Sequence, residues 1–328
     1  MRIPTRPHIA RRLAVLGAAV GLVGLGLTVQ ATAAQAQTRA QTSSASPAPA
    51  GLKPIKSGSG YAVFSGTVRP ASAKTLSLQT GDDPGAVSPK PKVYLVFWGS
   101  QWSSDPAGVA PDLRAMFKGL YGSADTWGTI LQQYCEGLAK GTTNCGSKGT
   151  HVQHPTVSAL AGAWFDNASA EPSKATTAQL AAEAKKAAAH FGNKTQASNG
   201  NSQYVIVSPH NTHPNGFPSS GFCAWHDFTS TTYGKLAYTN LPYVPDLGTG
   251  ACTTLTDGRL LDGIESTETH EYAETVTDFW PTDGWYNTAG GEIGDECVNL
   301  DADLTLSTGT FDVQGLWSNS ANACVTKG

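Results

Sequence analysis

The apolar residues of this chain fall into short blocks whose period changes along the sequence. Val93 to Trp98 (VYLVFW) and Gln203 to Ser208 (QYVIVS) are nearly continuous apolar runs, the pattern of strands covered on both faces. Ser158 to Phe165 predicts a further strand, and Tyr61 to Val68 an early one. Lys235 to Val244 predicts another, interrupted by Pro242 and suited to a sheet edge. Thr176 to Phe191 (TTAQLAAEAKKAAAHF) predicts the clearest helix, rich in alanine with its charges on one side. Asp112 to Tyr121 and Thr126 to Tyr134 predict two shorter helices. Leu260 to Asp278 predicts a second long one, with Asp262 and Glu265 at capping-box spacing and Pro281 and Gly284 past its end. Strands alternating with helices, without an internal repeat, give an α/β or α+β domain of mixed sheet flanked by helices.

One block differs in kind. Leu13 to Val29 is uncharged, follows Arg2, Arg6, Arg11 and Arg12, and leads into Ala31-Thr32-Ala33 and Ala34-Gln35-Ala36. That is the layout of a removable signal peptide, assigned to residues 1–33, and general secretion is the expected route. A retained anchor is the competing reading; the run is barely long enough to span and rich in glycine and alanine. Residues 34–60, full of Gln, Ala, Ser, Thr and Pro, read as a disordered linker or pro-segment. Residues 61–90 form an N-terminal extension, and 91–328 the main domain, about 240 residues and enough for one substantial core. Nothing after residue 36 is long and apolar enough to cross a bilayer, so no membrane is expected after signal removal.

Charged residues make up 14% of the chain, below the usual quarter or so, and the formal net charge is −3 with no basic block beyond the leader. Nucleic acid is therefore a poor partner. Cys135, Cys145, Cys223, Cys252, Cys297 and Cys324 form an even set in an exported chain, which reads as three disulfides. Pairing of sequential neighbours is favoured: 135 with 145, 223 with 252, 297 with 324. No CxxC occurs, which argues against a zinc knuckle or a thioredoxin-like site.

The chemistry concentrates on the second long helix, in His270-Glu271-Tyr272-Ala273-Glu274. His270 and Glu274 are four apart, so both reach one cation from the same face. Glu271, one step round, is placed as general base. This is the spacing of the zincin HExxH helix with its second histidine replaced by glutamate. A third ligand is available just downstream in GGEIGDEC, from Asp295 or Glu292, with Cys297 to pin the loop. The order of a long helix, a buried strand, a possible edge strand and then the His-Glu helix is that of a zincin half-domain. The plainer reading makes Glu265, Glu268, Glu271 and Glu274 a solvated acidic face. His210 and His213, after the QYVIVS strand, and His226, beside Asp227, are cleft candidates or surface histidines. No GxSxG elbow supports a serine hydrolase. Phe279, Trp280, Trp285, Tyr286 and Trp317 read first as core and loop anchors.

The order of motifs resembles the EXORDIUM, or phosphate-induced, secreted proteins of plants and their bacterial relatives. The likeness rests on KVYLVFWGSQW (Lys92 to Trp102), DTWGTILQQYC (Asp125 to Cys135) and the Phe222, Cys223, His226 pattern. It continues in LDGIESTETHEYAE (Leu261 to Glu274), Gly284-Trp285-Tyr286, GEIGDEC (Gly291 to Cys297) and FDVQGLWSNSANACV (Phe311 to Val325). The resemblance implies a secreted, wall- or matrix-associated role and carries no firm reaction with it.

The functional expectation is a secreted, monomeric, zincin-like metallopeptidase acting on an extracellular peptide or a cell-wall or matrix substrate. Zn2+ is the first choice of ion, with Ca2+ or manganese admitted by a carboxylate-rich donor set. The alternative is a non-catalytic extracellular protein with a structural ion or none.

Overall fold

The computed structural model describes residues 75–79, 85–155, 157–281 and 283–328, together with the backbone of two strands, Pro54–Ser57 and Gly60–Phe64. The signal-peptide assignment lies outside the described residues, as does most of the linker. The early strand is Gly60–Phe64, paired antiparallel with Pro54–Ser57.

The architecture is mixed α/β around one five-stranded sheet. We label its strands β1 (Lys92–Trp98), β2 (Leu160–Asp166), β3 (Ser202–Val207), β4 (Trp225–Thr231) and β5 (Gly234–Leu241). Their order is β2-β1-β3-β5-β4. The first four in that order are mutually parallel, whereas β4 runs antiparallel to β5 at the edge. Helix α1 (Val109–Gly119) connects β1 to β2, α2 (Thr177–His190) connects β2 to β3, and α3 (Asp262–Thr277) follows β5. A hairpin of β6 (Asp301–Leu306) and β7 (Gly309–Gln314) closes against α3.

The alternation of side chains along the strands sorts the core into two layers. Val96, Tyr204, Ile206 and Tyr238 pack against Leu180, Ala184, Ala187 and Ala188 of α2. Leu95, Phe97, Val205, Val207 and Leu241 point the other way, toward α1 and α3. The small residues of α2 let it lie close on the sheet, and Thr176 with Gln179 forms a reciprocal capping box at its start.

Three sequence expectations need correction. The edge position belongs to Trp225–Thr231, not to the strand expected at Lys235 to Val244, which is interior and ends before Pro242. Thr126 to Tyr134 forms only a short 3-10 turn at Gly128–Gln133. No capping box starts α3: Leu261 is the N-cap and makes no side-chain cap bond. Asp262 and Glu265 turn instead to the Arg259 guanidinium, at 3.0 and 2.7 Å, which supplies a cation to two carboxylates buried at 1% exposure.

The most consequential feature is that all sixteen residues of α3 are buried. A helix this polar is ordinarily found in water, so the reading of its glutamates as a solvated face is overturned. Each flank has its own cover. Tyr272 meets Tyr121 through a 2.6 Å hydroxyl bond, Thr275 accepts from Gln203 of β3, and Thr269 and Glu265 accept backbone N–H groups of Gln314 and Asp312 in β7. The stretch ahead of β1 also contributes: Leu76, Leu78 and Val87 lie in the core, and Ser88 N–H donates to Val276 O near the end of α3.

All six cysteines pair as sequential neighbours, 135–145, 223–252 and 297–324. Three disulfides fit an oxidising, extracellular setting. No helix among the described residues is long and apolar enough to cross a membrane.

Candidate metal centre

The flank of α3 that faces β4 and the 287–298 loop gathers two imidazoles and five carboxylates. His270 and Glu274, one turn apart, bring Nε2 and Oε2 to 3.1 Å. Glu271 points inward rather than to solvent, and its Oε2 stands 3.1 Å from His226 Nδ1 on the edge strand. His226 Nδ1 is also 3.6 Å from Glu274 Oε2, and its Nε2 is 3.5 Å from Glu292 Oε1. Asp278, the C-cap of α3, accepts from the backbone N–H of Gly284 at 2.8 Å and from the Tyr286 hydroxyl. Asp295 sits in the loop, whose backbone N–H there donates to Glu274 Oε1 at 3.0 Å.

The loop comes this close because residue 294 is glycine. A Cβ there would stand 2.6 Å from His270 Nδ1 and 3.0 Å from Glu274 Oε1. Glycine is needed for the approach, since its φ of −79° suits any residue. The disulfide from Cys297 to Cys324 holds the far side of the same loop.

The hydrogen-bond network assigns the tautomers. Gln314 Nε2 donates to Gly294 O at 2.9 Å, which turns its Oε1 toward His270 Nδ1 at 3.0 Å. His270 therefore carries its proton on Nδ1 and presents Nε2 to Glu274. His226 likewise gives its Nδ1 proton to Glu271 and presents Nε2 to Glu292. An imidazole anchored through one nitrogen to an oxygen acceptor, with the other turned into a carboxylate cluster, is the arrangement of a metal-ligating histidine.

Donor atoms from three sets lie within 4.8 Å of one another: His270, Glu274 and Asp295; His226, Glu271 and Glu274; His226, Asp278 and Glu292. Six of the seven residues are at most 5% exposed, and Asp295, half-buried, is where the centre meets solvent. Among the described residues no lysine or arginine lies within ion-pair distance of Glu271, Glu274 or Glu292.

Without an ion, protons balance the charge. Burial would depress both imidazoles, but the hydrogen bond and charge of Glu271, with Glu274 and Asp278, raise His226 to about 9. The charge and hydrogen bond of Glu274, aided by Glu271 and Asp295, likewise overcome burial and raise His270 to about 10. Burial lifts Glu274 to about 7 and Asp278 to about 6. Glu292 rises well above the carboxylate range, through burial and then the charges of Glu274, Asp278 and Asp295.

The structure thus brings together His270, Glu271, Glu274, Glu292, Asp295 and His226. It leaves out His210, which pairs with Asp246 at the surface and stacks edge-on with Tyr243, and His213, which is exposed. Sequence reasoning missed Asp278 and Gln314. Asp278 lies four residues after Glu274 and eight after His270, so helical spacing carried it along the same flank. Gln314 gave no local signal. Phe279, Trp280, Trp285 and Trp317 are buried, as expected of core and loop anchors.

Searches for related proteins find no matching protein-family model, curated protein or solved structure.

Proposed function

We propose that this chain is a secreted, zincin-like metal-dependent hydrolase acting on peptide bonds, with His270, Glu274 and Asp295 holding the ion. The observation that carries the reading is the inward Glu271 carboxylate, fixed by His226 beside a His-Glu-Asp triad. The order α2, β3, antiparallel edge β4, β5, then the His-Glu helix α3 supports it further. The donors suit an ion: one imidazole nitrogen and two carboxylates around a loop glycine whose Cβ would fill the space. Mixed nitrogen and oxygen donors favour zinc or manganese over calcium, which prefers oxygen alone.

Bound there, the ion would polarise a carbonyl and acidify water. Glu271 would accept the proton of the attacking water and return it to the leaving amine, held in register by the His226 Nδ1–H. Among the described residues no strand pairs with the outer side of β4, whose main-chain donors and acceptors would serve an extended peptide. The disulfides, the leader-like N-terminus and the resemblance to EXORDIUM-type proteins support an extracellular, wall- or matrix-associated setting.

A second reading is favoured by one observation, the 1–2% exposure of His270 and Glu274. An ion closed off to this degree fits a structural role. Glu271→Gln separates the two. In a hydrolase it abolishes peptide turnover while zinc content stays at the wild-type level. Absence of turnover in wild-type protein, with a chelator-induced loss of thermal stability, would favour the structural ion.

A further inference from the structure

The three donor sets are not equivalent. His270, Glu274 and Asp295 share no residue with His226, Asp278 and Glu292, while the set containing Glu271 lies between them and borrows from both. Each outer triad has one imidazole whose Nδ1 is anchored elsewhere, to Gln314 Oε1 in one case and Glu271 Oε2 in the other. Each also has two carboxylates.

The second triad carries an observation of its own. His226 Nε2 and Glu292 Oε1 are buried, 3.5 Å apart, and neither makes a hydrogen bond among the described residues. A carboxylate oxygen and an imidazole nitrogen left in this state, at 4–5% residue exposure, carry the full penalty of lost hydration. A proton or a bridging water between them would partner both, but would leave the two carboxylates of the triad short of positive charge. A divalent cation would satisfy both, and would leave each triad, with neutral imidazole and two carboxylates, electrically balanced.

We propose that the centre holds two divalent cations, the second bound by His226, Asp278 and Glu292. This rests on the reading that the first triad holds an ion. Glu271 then lies between two cations, bonded to the back of the imidazole that serves the second. The second ion fixes His226 through Nε2 and so fixes the Nδ1–H that orients Glu271. The donor chemistry is that of the first site, and zinc is the probe.

The test is zinc stoichiometry on the full secreted chain, stripped with chelator, reloaded with excess zinc chloride, desalted and measured by elemental analysis. Two zinc ions per chain are expected in the wild type, one in Glu292→Gln and one in His270→Ala. Asp278→Asn keeps an oxygen for the Gly284 N–H and should match Glu292→Gln, so a fold lost in one variant leaves the other to decide. Near-ultraviolet circular dichroism checks folding. One zinc in the wild type, kept in Glu292→Gln and Asp278→Asn but lost in His270→Ala, overturns the second site and leaves the first standing. No zinc in folded wild-type protein overturns both.

Discussion

His226 Nδ1 lies 3.1 Å from Glu271 Oε2, joining the edge strand of the sheet to the helix beneath it across 45 positions of sequence. The contact makes the edge strand part of the centre: any movement of β4 moves the proton that orients Glu271. It also places His226 within 4 Å of carboxylates from both the helix and the downstream loop.

Removing His226 should therefore be expensive. His226→Ala leaves Glu271 and Glu292 buried beside an emptied position, and stranding one partner of a buried charge pair typically costs about 3–5 kcal/mol. Urea unfolding of chelator-treated protein measures it. A change below about 1 kcal/mol, the scale of a surface pair, would mean that the imidazole is not holding those carboxylates.

Gly294 offers a sharper probe of the loop. Gly294→Ala forces a methyl to 2.6 Å from His270 Nδ1, and overpacking of this kind costs about 1–3 kcal/mol. Gly290→Ala is the control: its Cβ meets nothing within 4 Å, but its φ is +79°, so backbone strain alone costs about 1–2 kcal/mol. The two variants should be destabilised to a similar degree, with zinc affinity falling at least tenfold only in Gly294→Ala. Equal zinc binding would show that the loop does not need to touch the helix at that point.

The disulfides divide in the same way. Cys297 and Cys324 are 27 residues apart, and Cys297 anchors the C-terminal end of the loop that carries Glu292 and Asp295, whereas Cys135–Cys145 closes a shorter loop that carries no member of the centre. Loop-closure entropy predicts that replacing either pair with alanine lowers stability by about 3 kcal/mol. Titration with zinc should nevertheless find affinity reduced in the Cys297/Cys324 double variant and unchanged in the other. Affinity lost equally in both would mean that global stability, not the loop tether, governs binding.

Local spacing made much of this legible in the sequence. Apolar runs marked β1 and β3, alanine content marked α2, and the four-residue step from His270 to Glu274 marked the flank of α3. Burial of that helix was not legible, because its cover comes from residues far along the chain: Tyr121, Gln203, and Asp312 and Gln314 of the β6–β7 hairpin. His226 was visible only as a histidine beside an aspartate, since nothing in the short run from Trp225 declares an edge strand. The pattern at Lys235 to Val244 pointed to an edge because of Pro242, yet that proline lies past the end of β5 and removes no ladder bond. Asp262 and Glu265 had the spacing of a cap, but Arg259, three residues ahead of Asp262, draws both carboxylates to its guanidinium.

Ion removal should couple to pH with a definite sign. In the ion-free fold His226 and His270 are raised to about 9 and about 10, from 6.5. Groups with raised values contribute stability that is fully present below their unfolded values and is lost as pH rises through the folded ones. Glu274, raised from 4.5 to about 7, acts in the same direction at lower pH. The chelated protein should therefore lose stability steadily between pH 6 and pH 9. An ion takes the place of those protons, so the loaded protein is spared that loss, and its affinity rises over the same interval as protons cease to compete. Thermal unfolding with zinc and with chelator, compared at pH 6 and pH 9, should show the gap in Tm widening toward pH 9. A gap that stays constant or narrows would mean that protons on His226, His270 and Glu274 do not stand in for the cation.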